Sequence, residues 1–406
     1  MLIKRETYLA KIRPFYDLDI IKVLMGSRRC GKSKILELII QELRDKGVAE
    51  QNIIFINFED LQYDEINDYK KLNTYILARI KPGKNYLFFD EIHHVAGFEK
   101  AINSFRATLD CSIFITGSNS KMLSSEISSL LTGRIMEFTI YPFTYQESLE
   151  YRQVNNLKLP DNVFNDYLIM GGYPLRFNLF NEEDVKGYLK ELFTNICQKD
   201  IFDRDINLEK EKFNKVCEYV LVNAGNDFNP ESICDYLNSS NGKNYICPKT
   251  IYKYLDTMQK AFLITPVYRY NISGKAALKT NPKYYAIDNG LRLIKASSNN
   301  YNRGHFLENL LCIELLSRGY ELYIGKTYKS EVDFIASKNG KKCFIQVAYI
   351  MESEDTINRE FGAFSSIKDS SPKYVISLDP INMSRDGIVH INIIDFLTYK
   401  VDLFLT

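Results

Sequence analysis

Gly26-Ser27-Arg28-Arg29-Cys30-Gly31-Lys32-Ser33 is the stretch whose reading decides the fold of this chain. It fits G-x-x-x-x-G-K-[ST] in full, and its flanks fit as well. The apolar run Ile20–Met25 leads into its first glycine, and SKILELIIQELRDKG continues from its lysine with helical periodicity. Two glycines let the backbone wrap a chain of phosphates so that successive N–H groups point inward. The N-terminus of the following helix adds a dipole favourable to anions. Candidate nucleotide-binding residues are therefore Gly26, Ser27, Arg28, Arg29, Cys30, Gly31, Lys32, Ser33 and Lys34. Lys32 is expected to reach the β- and γ-phosphates of ATP, and the Ser33 hydroxyl to ligate Mg²⁺.

Outward from this loop, the runs Ile53–Asn57, Tyr86–Asp90, Ser112–Thr116 and Ile135–Ile140 alternate with helical patterns. Strands that are nearly continuously apolar are buried on both faces, and the alternation predicts a parallel α/β sheet of the P-loop NTPase kind. Leu87-Phe88-Phe89-Asp90-Glu91 ends one such strand in two carboxylates. Asp90 is expected to hold Mg²⁺ through its water shell, and Glu91 to polarise the attacking water as general base. The next strand ends in Gly117-Ser118-Asn119, which offers Ser118 and Asn119 as polar sensors of the γ-phosphate. Arg134, in Thr132-Gly133-Arg134, is a further candidate, with an unpaired surface arginine as the alternative. The string Asp90-Glu91-Ile92-His93 also matches a DExH helicase, but nothing after residue 150 supplies the second motor domain that class needs. His93 is read as a local helix-start residue.

Composition narrows the class. At 406 residues the chain exceeds a single core, and 45% hydrophobic with 25% charged residues is globular rather than disordered. A net charge of +1 advertises no nucleic acid globally, although a whole-chain sum hides local patches. The eight cysteines form no CxxC pair and only four histidines accompany them, which points to free thiols rather than zinc. No apolar run reaches the roughly 18–20 residues of a membrane span, and MLIKRETYLAK lacks a signal-peptide core, so a cytoplasmic protein without a membrane partner is expected.

Past the ATPase core, assigned to residues 1–150, the pattern turns helical over 151–228, a lid interrupted by the turn signal YLIMGGYP at 167–174. Residues 229–295 read as two helices followed by a β-hairpin, the order of a winged helix-turn-helix. There Lys249, Thr250, Tyr252 and Lys253 are placed for a major groove, and Lys275 and Lys279 for phosphate contacts from the wing. A packing module is the alternative. Residues 296–406 read as helix, three strands, helix (Arg359–Lys368) and strand.

IKVLMGSRRCGKS, YLFFDEIHHV, ITGSNSKML, LTGR, YPFTYQE, MGGYP, Lys199-Asp200-Ile201 and EVDFI…FIQVAY together resemble the AAA-type P-loop ATPases of bacteria and archaea that carry a C-terminal domain of unassigned role. The resemblance covers nearly the whole chain and implies ATP binding on an AAA-type core, without a defined cellular task. The last segment is in addition similar to restriction-endonuclease-like PD-(D/E)xK domains. Glu308, Asp333 and Gln346 would fall at the metal positions, with Gln346 in place of a carboxylate and Ala348 in place of the lysine. Such a domain is expected to be inactive, since the missing lysine stabilises developing charge.

The leading expectation is an ATPase whose nucleotide state controls a DNA- or protein-binding C-terminal half. A slow nucleotide-gated switch or scaffold, and a nuclease with a degenerate site, are the alternatives. Duplex DNA, a protein, and further copies of the chain remain open as partners.

Overall fold

The computed structural model describes residues 2–117, 133–242, 244–272, 274, 276–295, 302–328 and 330–404, with backbone only for 276–281. The chain divides into two compact units, Met1–Pro142 and Phe143–Thr406.

In the first unit the five apolar runs become β1 (Ile21–Met25), β2 (Ile53–Asn57), β3 (Asn85–Asp90), β4 (Cys111–Gly117) and β5 (Ile135–Thr139). They form one sheet in the order β2-β3-β4-β1-β5, each adjacent pair parallel. β1, β3 and β4 are buried along their whole length, which is why their sequences show no polar alternation. α2 (Lys32–Asp45) follows β1 and buries Ile35, Leu36, Ile39, Ile40 and Leu43. These pack with Phe88, Phe114 and with Tyr8, Leu9 and Ile12 of α1 (Glu6–Ile12). α3 (Tyr69–Leu77) starts on an Asp68 cap and α4 (Phe98–Thr108) buries Phe98, Ala101, Ile102 and Phe105. The carboxyl ends of β1 and β3 lie on either side of β4, and the loops that follow them converge at one end of the sheet.

The second unit begins with helices and ends in a large sheet. Its helices include Tyr145–Val154, Val163–Met170, Glu182–Ile196, Lys210–Val222, Pro230–Asn241 and Pro248–Lys260. The hairpin read as the β part of a winged module, β6 (Ile264–Asn271) and β7 (Ala276–Ala286), lies at the edge of a seven-stranded sheet. β6 pairs in parallel with β8 (Glu321–Lys326), Tyr268 opposite Tyr323. β9 (Glu331–Lys338), β10 (Lys341–Val347), β11 (Lys373–Ser377) and β12 (Val389–Asn392) complete the sheet. Backbone hydrogen bonds thus join 229–295 to 296–406. One apolar core runs from Phe164 through Leu255 and Phe306 to Phe396.

Two local differences stand out. The second helix of the last segment is Glu354–Gly362, started by a Ser353 cap, rather than 359–368. The turn at 171–172 has a packing reason: a Cβ on Gly171 would run into the Asp288 carboxylate, and one on Gly172 into the Phe143 carbonyl. Asp288 accepts a hydrogen bond from Gly172 N–H at 2.6 Å.

Candidate functional site: the loop after the first strand

The loop between β1 and α2 is shaped by its glycines. Gly26 has φ 150°, and a Cβ there would run into the Ile140 carbonyl oxygen, so only glycine permits this approach to the end of β5. Gly31 caps α2 at φ 104° and Arg29 also adopts a left-handed backbone, φ 62°. Lys32, the first residue of α2, is 4% exposed, and its Nζ donates to the Gly26 and Ser27 carbonyls at 3.2 Å each. The same ammonium lies 3.7 Å from Glu91 Oε1. These contacts are long, and a better anion can replace them.

Two carboxylates face the loop from the end of β3. The Asp90 Oδ1 accepts from the Thr116 hydroxyl at 2.5 Å, and the Ser33 hydroxyl bonds the same carboxyl group. Burial pushes the Asp90 pKa up, while those two hydroxyls pull it down. Glu91 follows in a left-handed conformation, φ 53°, with its N–H on Thr116 Oγ1 at 2.9 Å. Its carboxylate takes His93 Nδ1 at 3.2 Å as well as Lys32. Burial opposes its ionisation, but the His93 hydrogen bond and the Lys32 charge outweigh it and hold the pKa down at about 2. Glu91 is therefore an anion at neutral pH, suited to orienting water more than to holding a proton.

Of the other expected residues, Arg28 lies 3.8 Å from Glu59. Lys34 is turned to the surface of α2, paired with Glu37 at 2.7 Å. Arg134 is exposed and donates to Asn103 at 3.0 Å, so it is engaged as a surface residue. Ser118 and Asn119 lie outside the described residues. Thr116 was hidden in the apolar run Ser112–Thr116, yet its one hydroxyl donates to the Asp90 carboxylate and accepts from the Glu91 N–H. Arg5, on the chain before α1, was also missed. Its guanidinium donates to the Cys30 carbonyl at 2.9 Å and to the Tyr141 carbonyl at 2.8 Å.

In the second unit the helix Pro248–Lys260 buries Ile251, Tyr254, Leu255 and Met258 and exposes Lys249, Tyr252 and Lys253. Lys253 is paired with Asp205 at 2.6 Å, and the Thr250 hydroxyl lies 3.3 Å from Cys247 Sγ. Lys275 and the side chain of Lys279 lie outside the described residues.

Glu308, Asp333 and Gln346 are brought to one face of the seven-stranded sheet. The Asp333 N–H reaches Gln346 Oε1 at 3.4 Å, and Asp333 Oδ2 accepts from Val347 N–H at 2.8 Å. Lys283 of β7 enters this cluster, 4.0 Å from Glu308 and 2.8 Å from Glu331. The Tyr285 hydroxyl bonds Glu308 at 2.7 Å, and Arg269 bonds Glu331 at 2.6 Å. Burial, and then the Glu308 charge, drive the Asp333 pKa far up. Burial lowers that of Lys283, but Glu308 and Glu331 more than restore it. Ala348 is buried among Val332, Phe344 and Val375. Among the described residues no group of three or more His, Cys, Asp and Glu side chains is arranged to hold a metal ion.

A parallel sheet with a glycine loop, a lysine buried against it and a strand-end acid pair defines a nucleotide-binding domain of the P-loop class. Residues 19–149 match a family described as AAA domain, and residues 161–300 match one described as a domain of unknown function. An uncharacterised protein of Haemophilus influenzae is 35% identical over 98% of this chain and 98% of its own length, and the chain belongs to the same family. Protein MJ1544 of Methanocaldococcus jannaschii is 33% identical over 89% of this chain and 81% of its own. Among solved structures, the Aeropyrum pernix ORC2 protein in its ADPNP–ADP complexes aligns with 76% of this chain and 91% of its own, at 10% identity and a TM-score of 0.35, a likeness that carries no further weight. No helix among the described residues is long and apolar enough to cross a membrane.

Proposed function

We propose that the protein binds ATP with Mg²⁺ at residues 26–33, hydrolyses it, and uses the difference between its nucleotide states to control a DNA- or protein-binding second unit. The observation that carries this reading is the position of Lys32. Its ammonium rests on two loop carbonyls and one catalytic-type carboxylate, all within 3.7 Å, at the mouth of a helix N-terminus. Triphosphate oxygens are stronger partners than those carbonyls. On binding, Lys32 turns to the β- and γ-phosphates, and the backbone N–H groups of 27–33 take the remaining charge.

Ser33 and Asp90 fit Mg²⁺: their oxygens already meet in a hydrogen bond, and Mg²⁺ needs only one or two protein oxygens beside water and phosphate. The metal, when bound, neutralises charge on the phosphates. Glu91, released by Lys32 but still held by His93, orients the attacking water. Thr116 keeps Asp90 and Glu91 in register during this exchange. Ser118, Asn119 and Arg134 remain candidates for sensing the γ-phosphate, with Arg134 requiring release from Asn103.

For the second unit, Lys249 and Tyr252 on an exposed helix face support a contact with duplex DNA or an acidic protein surface. The ion pairing of Glu308 and Glu331 by Lys283 supports an inactive nuclease-like domain that serves as structure. The test is ATP turnover measured with and without duplex DNA over a range of salt. DNA stimulation that fades with salt is expected for DNA coupling. Turnover indifferent to DNA, with no mobility shift at low salt, would leave the protein-binding form alone standing.

A second reading, a slow nucleotide-gated switch, is favoured by one observation. The Glu91 carboxylate is already engaged by His93 Nδ1 at 3.2 Å and Lys32 Nζ at 3.7 Å, so it is not free to take a proton from water. Nucleotide retained over many minutes, with turnover far below the usual ~10 s⁻¹, would select it.

A further inference from the structure

Arg5 sits outside every motif in the sequence, yet it is one of the most enclosed charged residues of the first unit. It is 2% exposed and adopts a left-handed backbone, φ 48° and ψ 48°. Non-glycine residues enter that region at a cost and persist there when surrounding contacts hold them. The contacts are specific. Nη1 donates to the Cys30 carbonyl at 2.9 Å, while Nη2 donates to the carbonyls of Tyr141 at 2.8 Å and Pro142 at 3.3 Å. The guanidinium carbon lies 4.6 Å over the ring of Tyr8, whose hydroxyl in turn accepts from Tyr141 N–H at 3.1 Å. The fork therefore spans from the phosphate loop to the segment just after β5.

The consequence follows from peptide geometry. The Cys30 carbonyl and the Gly31 N–H belong to one planar trans peptide and point in opposite directions. A donor that fixes the carbonyl on the outside of the loop fixes the N–H on the inside. A charged donor also polarises that peptide, which makes its N–H a stronger donor to an anion. Gly31 gives this peptide little steric restraint of its own, since its φ of 104° is open only to a residue free of Cβ constraints. The loop needs an external hold, and Arg5 supplies it. Gly26 at the start of the loop packs against the Ile140 carbonyl, next to the residues Arg5 holds.

We propose that Arg5 is a positioning residue of the phosphate site: by holding the Cys30 carbonyl outward it aims the Gly31 N–H at the phosphates of the bound nucleotide. Arg5 acts through the loop backbone it bonds, and the proposal rests on the reading of residues 26–33 as the ATP site. Its effect belongs to binding more than to the chemical step. Both ATP and ADP place phosphates in the loop, so both feel the loss.

The experiment measures ADP affinity directly, together with KM and kcat for ATP, in wild type, Arg5→Ala, Arg5→Lys and Arg13→Ala. Arg13 bridges Glu6 and Glu42 beside α1 without reaching the loop, so Arg13→Ala controls for loosening of the N-terminal segment. Arg5→Ala is expected to weaken ADP binding and raise KM by about ten-fold, as for loss of a hydrogen bond to a charged group, with kcat changed much less. Lysine, a cation that can grip only one of the two carbonyl sets, is expected to restore part of the loss. Arg13→Ala is expected to lower the melting temperature with KM unchanged. If Arg5→Ala does not fold, Arg5→Lys carries the test, with a KM between wild type and about ten-fold above it. Nucleotide affinity in a folded Arg5 variant equal to wild type would overturn the proposal alone. Wild-type protein that binds no nucleotide would overturn the ATP reading beneath it.

Discussion

The phosphate loop at one end of the first unit's sheet and the acid cluster of the second unit both gather buried charge, and they use it differently. At the loop, Lys32 is held by two carbonyls at 3.2 Å and one carboxylate at 3.7 Å, contacts that a phosphate can displace. In the acid cluster, Glu331 accepts Lys283 at 2.8 Å and Arg269 at 2.6 Å, and Glu308 accepts Tyr285 at 2.7 Å. Lys283 also lies 4.0 Å from Glu308. Truncating one member of a buried ion pair leaves the other unpaired, at a cost of several kcal/mol. A ligand site keeps its charges weakly engaged, whereas a structural network consumes them.

The largest expected separation of the two regions comes from Gly26→Ala. The added Cβ has no space beside the Ile140 carbonyl, so the loop must shift and ATP affinity should fall by at least about a thousand-fold, roughly 4 kcal/mol. Isothermal titration checks this, and near-normal affinity would mean that the loop does not bind phosphate in this form. Lys283→Ala should do the reverse: it should destabilise the second unit by about 3 kcal/mol in denaturant titration, with ATP affinity unchanged. A variant as stable as wild type would show that the cluster is not a saturated network.

Thr116→Val sharpens the comparison within the first unit. It removes the hydroxyl shared by Asp90 and Glu91, and turnover should drop about ten-fold with a smaller change in affinity. Unchanged turnover would make Thr116 a bystander. The smallest effect is expected for Lys34→Ala. An exposed pair with Glu37 is worth at most about 1 kcal/mol to stability, and KM should stay within about two-fold of wild type. A large rise in KM would return Lys34 to the nucleotide site.

The first unit was legible in the sequence because its signals are local. Strands buried on both faces appear as unbroken apolar runs, and the glycine loop announces itself by spacing. Thr116 was not legible, since a threonine at the end of SIFIT looks like any β-branched strand residue. Arg5 was hidden for another reason: its partners lie 25 and 136 residues away, and a lone arginine carries no periodicity.

In the second unit each strand could be read, but not their assembly. The parallel pairing of Tyr268 with Tyr323 has no local signature, so the sequence showed β6 and β7 as a hairpin but not the strand beside them. Nor could sequence show Lys283, which reaches Glu308 and Glu331 from β7. Glu308 and Asp333 were found because their spacing resembles a known domain. What neutralises them was not, because it arrives from the far side of the sheet's own topology.

The central claim is that this loop binds ATP and that the acid after Asp90 serves its hydrolysis. It is tested most directly by measuring equilibrium ATP binding and steady-state turnover on wild type, Lys32→Ala and Glu91→Gln together. The account predicts that Lys32→Ala loses both. It predicts that Glu91→Gln keeps binding within a few-fold while turnover falls by at least about a hundred-fold. Equal binding in wild type and Lys32→Ala, or undiminished turnover in Glu91→Gln, would contradict it.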